Sequence, residues 1–106
     1  MIEPVIVGEI ISQYEKHGWS LRRALLSGES KNVLAETMSR IDVEASDFDA
    51  LWFSRRSNPE SEAWELRRLT GSPFALVAVI SADATSEEVE ATLAQVADEM
   101  RAKTIA

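Results

Sequence analysis

Three times in this chain a tryptophan is followed, three and four residues later, by two arginines: Trp19/Arg22/Arg23, Trp52/Arg55/Arg56 and Trp64/Arg67/Arg68. These copies use every tryptophan and six of the eight arginines. The pairing has definite chemistry. A guanidinium stacks on an indole face, and it grips a carboxylate or phosphate through two parallel hydrogen bonds. Both residue types are also enriched where protein interfaces concentrate their binding energy. On a strand, residues n and n+4 share a face while n+3 points the other way. Each copy is therefore expected to send its tryptophan and second arginine to one side and its first arginine to the other. The candidate binding residues are Trp19, Arg23, Trp52, Arg56, Trp64 and Arg68. The bland alternative is a solvated strand face in which long arginine stems cover indoles without any ligand.

Other residues that could do chemistry stand alone. His17 is the single histidine, and it falls where a helix ends and a glycine follows, a position that suits a charge facing the helix dipole. Asp42, Glu44, Asp47 and Asp49 bring carboxylates close together, but without the glycine turn of a calcium loop; edge protection of a strand is the plainer reading. No Gly-x-Ser-x-Gly elbow occurs, and the glycines at 8, 18, 28 and 71 form no phosphate-binding loop. No catalytic residue, metal or cofactor is expected.

Composition narrows the partners. With 106 residues the chain is long enough for one core and is read as a single domain, residues 1–106. It has no cysteine, so disulfide and thiolate chemistry are excluded. No run approaches a membrane span, and the first residues lack the basic region of a signal peptide, so a soluble cytoplasmic protein is expected. A net charge of −7 argues against nucleic acid. The acids concentrate in 42–49 and 83–106, around a segment (50–81) that carries four arginines against three glutamates.

Periodicity supplies the elements. Residues 4–17 read as a helix with Pro4 in its first turn and an apolar stripe of Val7, Ile10, Ile11 and Tyr14, stopped by Gly18. Trp19–Leu26 reads as a strand, Ser27–Ser30 as a break, 31–40 as a short helix, and 41–47 as an extended lead into the next strand. Phe48–Arg56, Trp64–Thr70 and Phe74–Ile80 read as a meander, joined by a loop over Ser57–Ala63 and by a type II′ turn at Gly71-Ser72, with Pro73 opening the last strand. The unbroken apolar run 74–80 predicts an inner strand buried on both faces. Thr85-Ser86-Glu87-Glu88 matches a capping box, and Val89, Leu93, Val96 and Met100 form the seam of a final helix. In the hairpin, a register with Arg55 opposite Glu65, Arg56 opposite Trp64, Trp52 opposite Arg68 and Leu51 opposite Leu69 gains one ion pair and two cation–π pairs.

The expected fold is α+β, a two-layer sandwich: a four-stranded antiparallel sheet with the N-terminal and C-terminal helices side by side on one face, in the order α-β-β-β-β-α. The element order is formally that of a double-stranded-RNA-binding domain. Glu87, Glu88 and Glu90, however, stand where such a domain needs bases, so that reading is rejected. The function expected is a non-enzymatic protein-interaction module, with a second copy covering the Trp/Arg-bearing face as the simplest partner. The alternative is a small-molecule binder or enzyme that grips an anionic ligand with Arg23, Arg56 and Arg68.

Overall fold

The computed structural model describes residues 3–70 and 74–105 and shows an α+β fold: α1 (Pro4–Lys16), β1 (Ser20–Leu26), α2 (Gly28–Val33), β2 (Asp42–Ala45), β3 (Ala50–Asn58), β4 (Ser61–Arg68), β5 (Ala75–Ser81) and α3 (Ser86–Ile105). Pro4 opens α1, where its missing N–H costs nothing, and Glu3 is extended before it. The helix ends at His17, and Gly18 turns the chain with φ +86, a conformation a side chain would strain. Val7 is buried on the inner stripe of α1, with Ile11 and Tyr14 packed beside it. Among the described residues no helix is long and apolar enough to cross a membrane.

The sheet has five strands, in the order β2-β1-β3-β4-β5. The fifth is the alternating run after residue 41. Asp42–Ala45 does not merely lead into β3; it pairs parallel to β1, with Arg23 opposite Asp42 and Leu26 opposite Ala45. A parallel partner requires a crossover, and residues 27–41 supply it. The short helix sits earlier than 31–40, at Gly28–Val33. The serines read as a break start it instead, because Asp49 accepts hydrogen bonds from the backbone of Ser27 and the hydroxyl of Ser30, both at 2.8 Å. Leu34 and Met38 then bury from turns.

The β3–β4 register differs from expectation by two residues. Trp52 faces Leu66, Phe53 faces Glu65, Ser54 faces Trp64, Arg55 faces Ala63 and Leu51 faces Arg67. The cause is a tighter connection than the loop read at Ser57–Ala63. Asn58 already pairs with Ser61, a bulge falls between Arg56 and Asn58, and the Asn58 side chain accepts the Glu60 backbone N–H at 2.8 Å. An even slip leaves every side chain on its expected face but replaces every pair. The anticipated ladder of Arg55–Glu65, Arg56–Trp64 and Trp52–Arg68 is not formed. The turn read at Gly71-Ser72 and the strand-opening Pro73 lie outside the described residues.

Phe74–Ile80 is also corrected. It does not run inside the sheet: β5 is an edge strand, paired to β4 alone among the described strands, with Val77 and Val79 exposed by 57% and 65%.

Two apolar clusters lie on opposite faces of the sheet. Leu25, Ala50, Trp52, Trp64, Leu66 and Ile80 pack against Leu93, Val96 and Met100 of α3. Ala24, Leu26, Leu51 and Phe53 pack against Val7 of α1 and against Leu34 and Met38. The two terminal helices therefore cover different faces and do not lie side by side. Alternation along β1 and β3 imposes this, since consecutive buried residues must point to opposite sides. The seam of α3 is as expected, and so is its start. Thr85 donates its backbone N–H to the Glu88 carboxylate (3.0 Å), and the Glu88 N–H returns a bond to the Thr85 hydroxyl (3.2 Å). Thr85→Ala removes half of this box and is expected to cost about 1 kcal/mol in urea unfolding, with Ser86→Ala as a near-neutral control.

Candidate functional site

The six candidate residues do not gather on one surface. Trp52 and Trp64 are 1% and 5% exposed and meet edge-on, ring centres 6.2 Å apart at 80°, beneath α3. They belong to the core. Trp19 lies on the α1 face, edge-on to Tyr14 at 6.1 Å. Arg23 is on the α3 face, joined to Glu90 by two bonds of 2.9 and 3.0 Å and to Glu44 at 3.5 Å. These bonds hold the Arg23 guanidinium pKa above and the Glu90 carboxyl pKa below their ordinary values. Arg56 is exposed on β3 opposite Glu62, and Arg68 lies 5.6 Å from the Phe74 ring. Arg23, Arg56 and Arg68 thus serve separate neighbours.

The first copy departs from the strand rule for a local reason. Leu21 pairs with Phe53 and Arg23 with Trp52, so Arg22 is an extra residue in a β-bulge. A bulge turns two consecutive side chains the same way. Arg22 accordingly joins Arg23 on the α3 side, bonding the Ser54 hydroxyl at 3.1 Å and lying 5.0 Å over Trp64. Trp19 is left on the other face, and its cation is Arg55, 4.7 Å over the ring.

What the structure leaves open is the outer part of the α1-side face, over β5. Val77 and Val79 lie there exposed, paired to Glu65 and to the buried Ala63 of β4. Beyond them runs the outer edge of β5, whose seven residues carry no charge and no proline. The two ends of this strip differ in charge. Arg67 and Arg68 flank the start of β5; Glu60, Glu62 and Asp83 flank its end. Sequence reasoning missed this surface because an unbroken apolar strand reads as interior. The available signal was chain order: β5 follows β4 antiparallel and is succeeded directly by a helix, so its neighbours in sequence supply it with one strand partner.

A concave feature adjoins this strip. Gln13, Tyr14 and His17 from the end of α1, Trp19, Arg55 of β3 and Glu65 of β4 line a cleft of about 420 Å³. The Tyr14 ring stacks on Phe53 at 3.9 Å and 9°, and its hydroxyl donates to the Glu65 carboxylate. Burial, and then that bond to an anion, push the Tyr14 phenol pKa above its usual range. Arg55 donates to the His17 carbonyl at 2.9 Å. Among the described residues neither Arg55 nor Glu65 enters an ion pair.

Of the acidic group, Asp42 stands opposite Arg23 on β2, and Glu44 reaches that same guanidinium. Asp47 bonds Arg101 at 2.9 Å, which lowers its carboxyl pKa, and Asp49 is buried under α2. Among the described residues no three of His, Asp or Glu are grouped to hold a metal ion. Comparison with protein-family models, curated proteins and solved structures finds no match to this chain.

Proposed function

We propose that this chain is a protein-interaction module that works as a homodimer, joined along the outer edge of β5. The observation that carries the reading is the pair of exposed valines, Val77 and Val79, on an uncharged edge strand. Natural edge strands are usually blunted by charge, proline, bulges or a covering element, because open N–H and C=O groups invite another strand. Here β5 has none of these along its length.

A second copy fits better than an unrelated peptide because the strip is complementary to itself. Antiparallel pairing about a twofold axis at Ala78 sets Val77 of each copy beside Val79 of the other. On the α3 side it sets Leu76 beside Ile80. The same axis lays the Arg67 end of one copy against the Asp83 end of its mate, so opposite charges meet at both rims. Two copies in the parallel sense would bring like ends together. Full burial of a valine contributes about 1.5–3 kcal/mol and each main-chain bond about 0.5–1.5 kcal/mol. Set against the cost of association, a seam of this size supports a dimer with a dissociation constant on the order of micromolar.

Sedimentation equilibrium tests the reading. The wild-type chain is expected to be dimeric by about 100 μM, and Val77→Lys should weaken association at least about tenfold. Asp83→Arg should also weaken it, and adding Arg67→Asp should restore it. A monomer throughout that range overturns the dimer. A dimer indifferent to Val77→Lys overturns the choice of surface.

A further inference from the structure

The cleft at the end of α1 carries an inference independent of the β5 seam. Arg55 and Glu65 occupy diagonal positions on one face of β3 and β4: Arg55 faces Ala63, and Glu65 is two residues further along β4. Diagonal neighbours across an antiparallel pair sit roughly 7–8 Å apart, within reach of two long side chains. An arginine and a glutamate so placed would ordinarily close into an ion pair. Here each is held by something else. Arg55 lies over the Trp19 ring at 4.7 Å and gives one N–H to the His17 carbonyl at 2.9 Å. Glu65 takes the Tyr14 hydroxyl, whose ring is fixed in turn by stacking on Phe53 at 3.9 Å. The result is a cation and an anion kept apart across a partly apolar hollow, each already oriented and each with bonding capacity left.

We propose that this cleft binds a zwitterionic small molecule, a free α-amino acid with an apolar side chain, with its carboxylate on Arg55, its ammonium on Glu65 and its side chain against Tyr14 and Trp19. The volume of about 420 Å³ lies within the range of small-molecule sites. A guanidinium backed by an aromatic ring and anchored by one N–H still offers its other donors to a carboxylate, where charge-assisted bonds are strongest. Glu65 uses one lone-pair site for Tyr14 and retains others for an ammonium donor. An α-amino acid head group carries both complementary charges, a carboxylate for Arg55 and an ammonium for Glu65, each able to make a bond of about 3 Å. A molecule bearing only one charge leaves the other residue as it is. Gln13 and His17 complete the polar rim.

Calorimetric and NMR titration of the full chain with L-phenylalanine tests this. Saturable binding is expected, with the Trp19 indole and Tyr14 ring signals shifting together. Phenylalaninamide keeps only the ammonium and N-acetylphenylalanine only the carboxylate; each is expected to bind at least about tenfold more weakly. Arg55→Gln and Glu65→Gln should each lose a similar factor. Glu65→Gln retains an acceptor for Tyr14, so the local fold is preserved, and an unchanged unfolding midpoint of the free variant confirms it. Absence of saturation by about 10 mM overturns the proposal, as do equal affinities for the three ligands or variants that bind like the wild type.

Discussion

Trp52→Ala is expected to cost about 3–5 kcal/mol, the range for emptying a large aromatic site in a packed core. Trp52 is 1% exposed, sits on the third of five strands in the sheet, and meets Trp64 edge-on at 6.2 Å. Leu25, Leu66 and Leu93 surround it from β1, β4 and α3. Strand backbones fix two of its walls and α3 the third, so the site can collapse little and the cavity term should be nearly full. A domain of this size is stable by about 5–15 kcal/mol, so the loss is a large share. Guanidinium unfolding followed by circular dichroism gives the number. Trp19→Ala, at a half-buried site on the other face, serves as the contrast and should cost clearly less. Equal losses at the two positions, or less than about 1.5 kcal/mol at Trp52, would mean the α3-side cluster is not the main core.

The second large effect is expected at a carboxylate. Asp49 is 7% exposed and accepts the Ser27 N–H and the Ser30 hydroxyl, both at 2.8 Å. Ser30 is itself buried. Asp49→Ala strands both donors, and an unmet buried donor costs about 1–3 kcal/mol, so a total of about 2–4 kcal/mol is expected. The loss should be local in origin. α2 has only six residues and cannot persist without its tether, so the amides of 28–34 should exchange with solvent much faster in the variant than those of β3. Asp49→Asn keeps the shape and one acceptor and should lose roughly half as much. If Asp49→Ala leaves stability within about 0.5 kcal/mol of wild type, the carboxylate is not what holds α2.

Asp49 also shows where the sequence ceased to be legible. Its neighbours Asp47 and Glu44 look alike in the sequence, yet only Asp49 is inward, because the alternation that places it depends on where β3 begins. Helices with local signals were readable: Pro4 and Gly18 bracket α1, and the Thr85–Glu88 box opens α3. Strand faces were readable on β3 and β4, since an error of two residues in register preserves them. What could not be read were features set by non-local contacts. The parallel pairing of β2 with β1 has no local signature. The bulge at Arg22, which parts Trp19 from Arg23, is visible only once β3 is laid alongside. The Trp/Arg repeat suggested one shared surface, whereas two of the three indoles were drawn into the core by the need to fill space beneath α3. His17, Trp19 and Arg55 of the cleft stood out singly in the sequence, but only the fold brings them together with Tyr14 and Glu65.

The position of β1 in the sheet bears on how the chain reaches this structure. β3, β4, β5 and α3 are consecutive in sequence and neighbours in space, so they can assemble through short-range closures. β1 is inserted between β2 and β3, with Leu25 paired to Ala50 on one side and to Glu44 on the other. Its pairing to β3 must close a loop of more than twenty residues, and that entropy is lost before any contact repays it. The meander with α3 is therefore the natural nucleus, and the N-terminal half docks onto it. During synthesis the order is reversed. α1 and β1 emerge from the ribosome before β3 and must wait, with the Val7 stripe uncovered, until β3 exists to receive them.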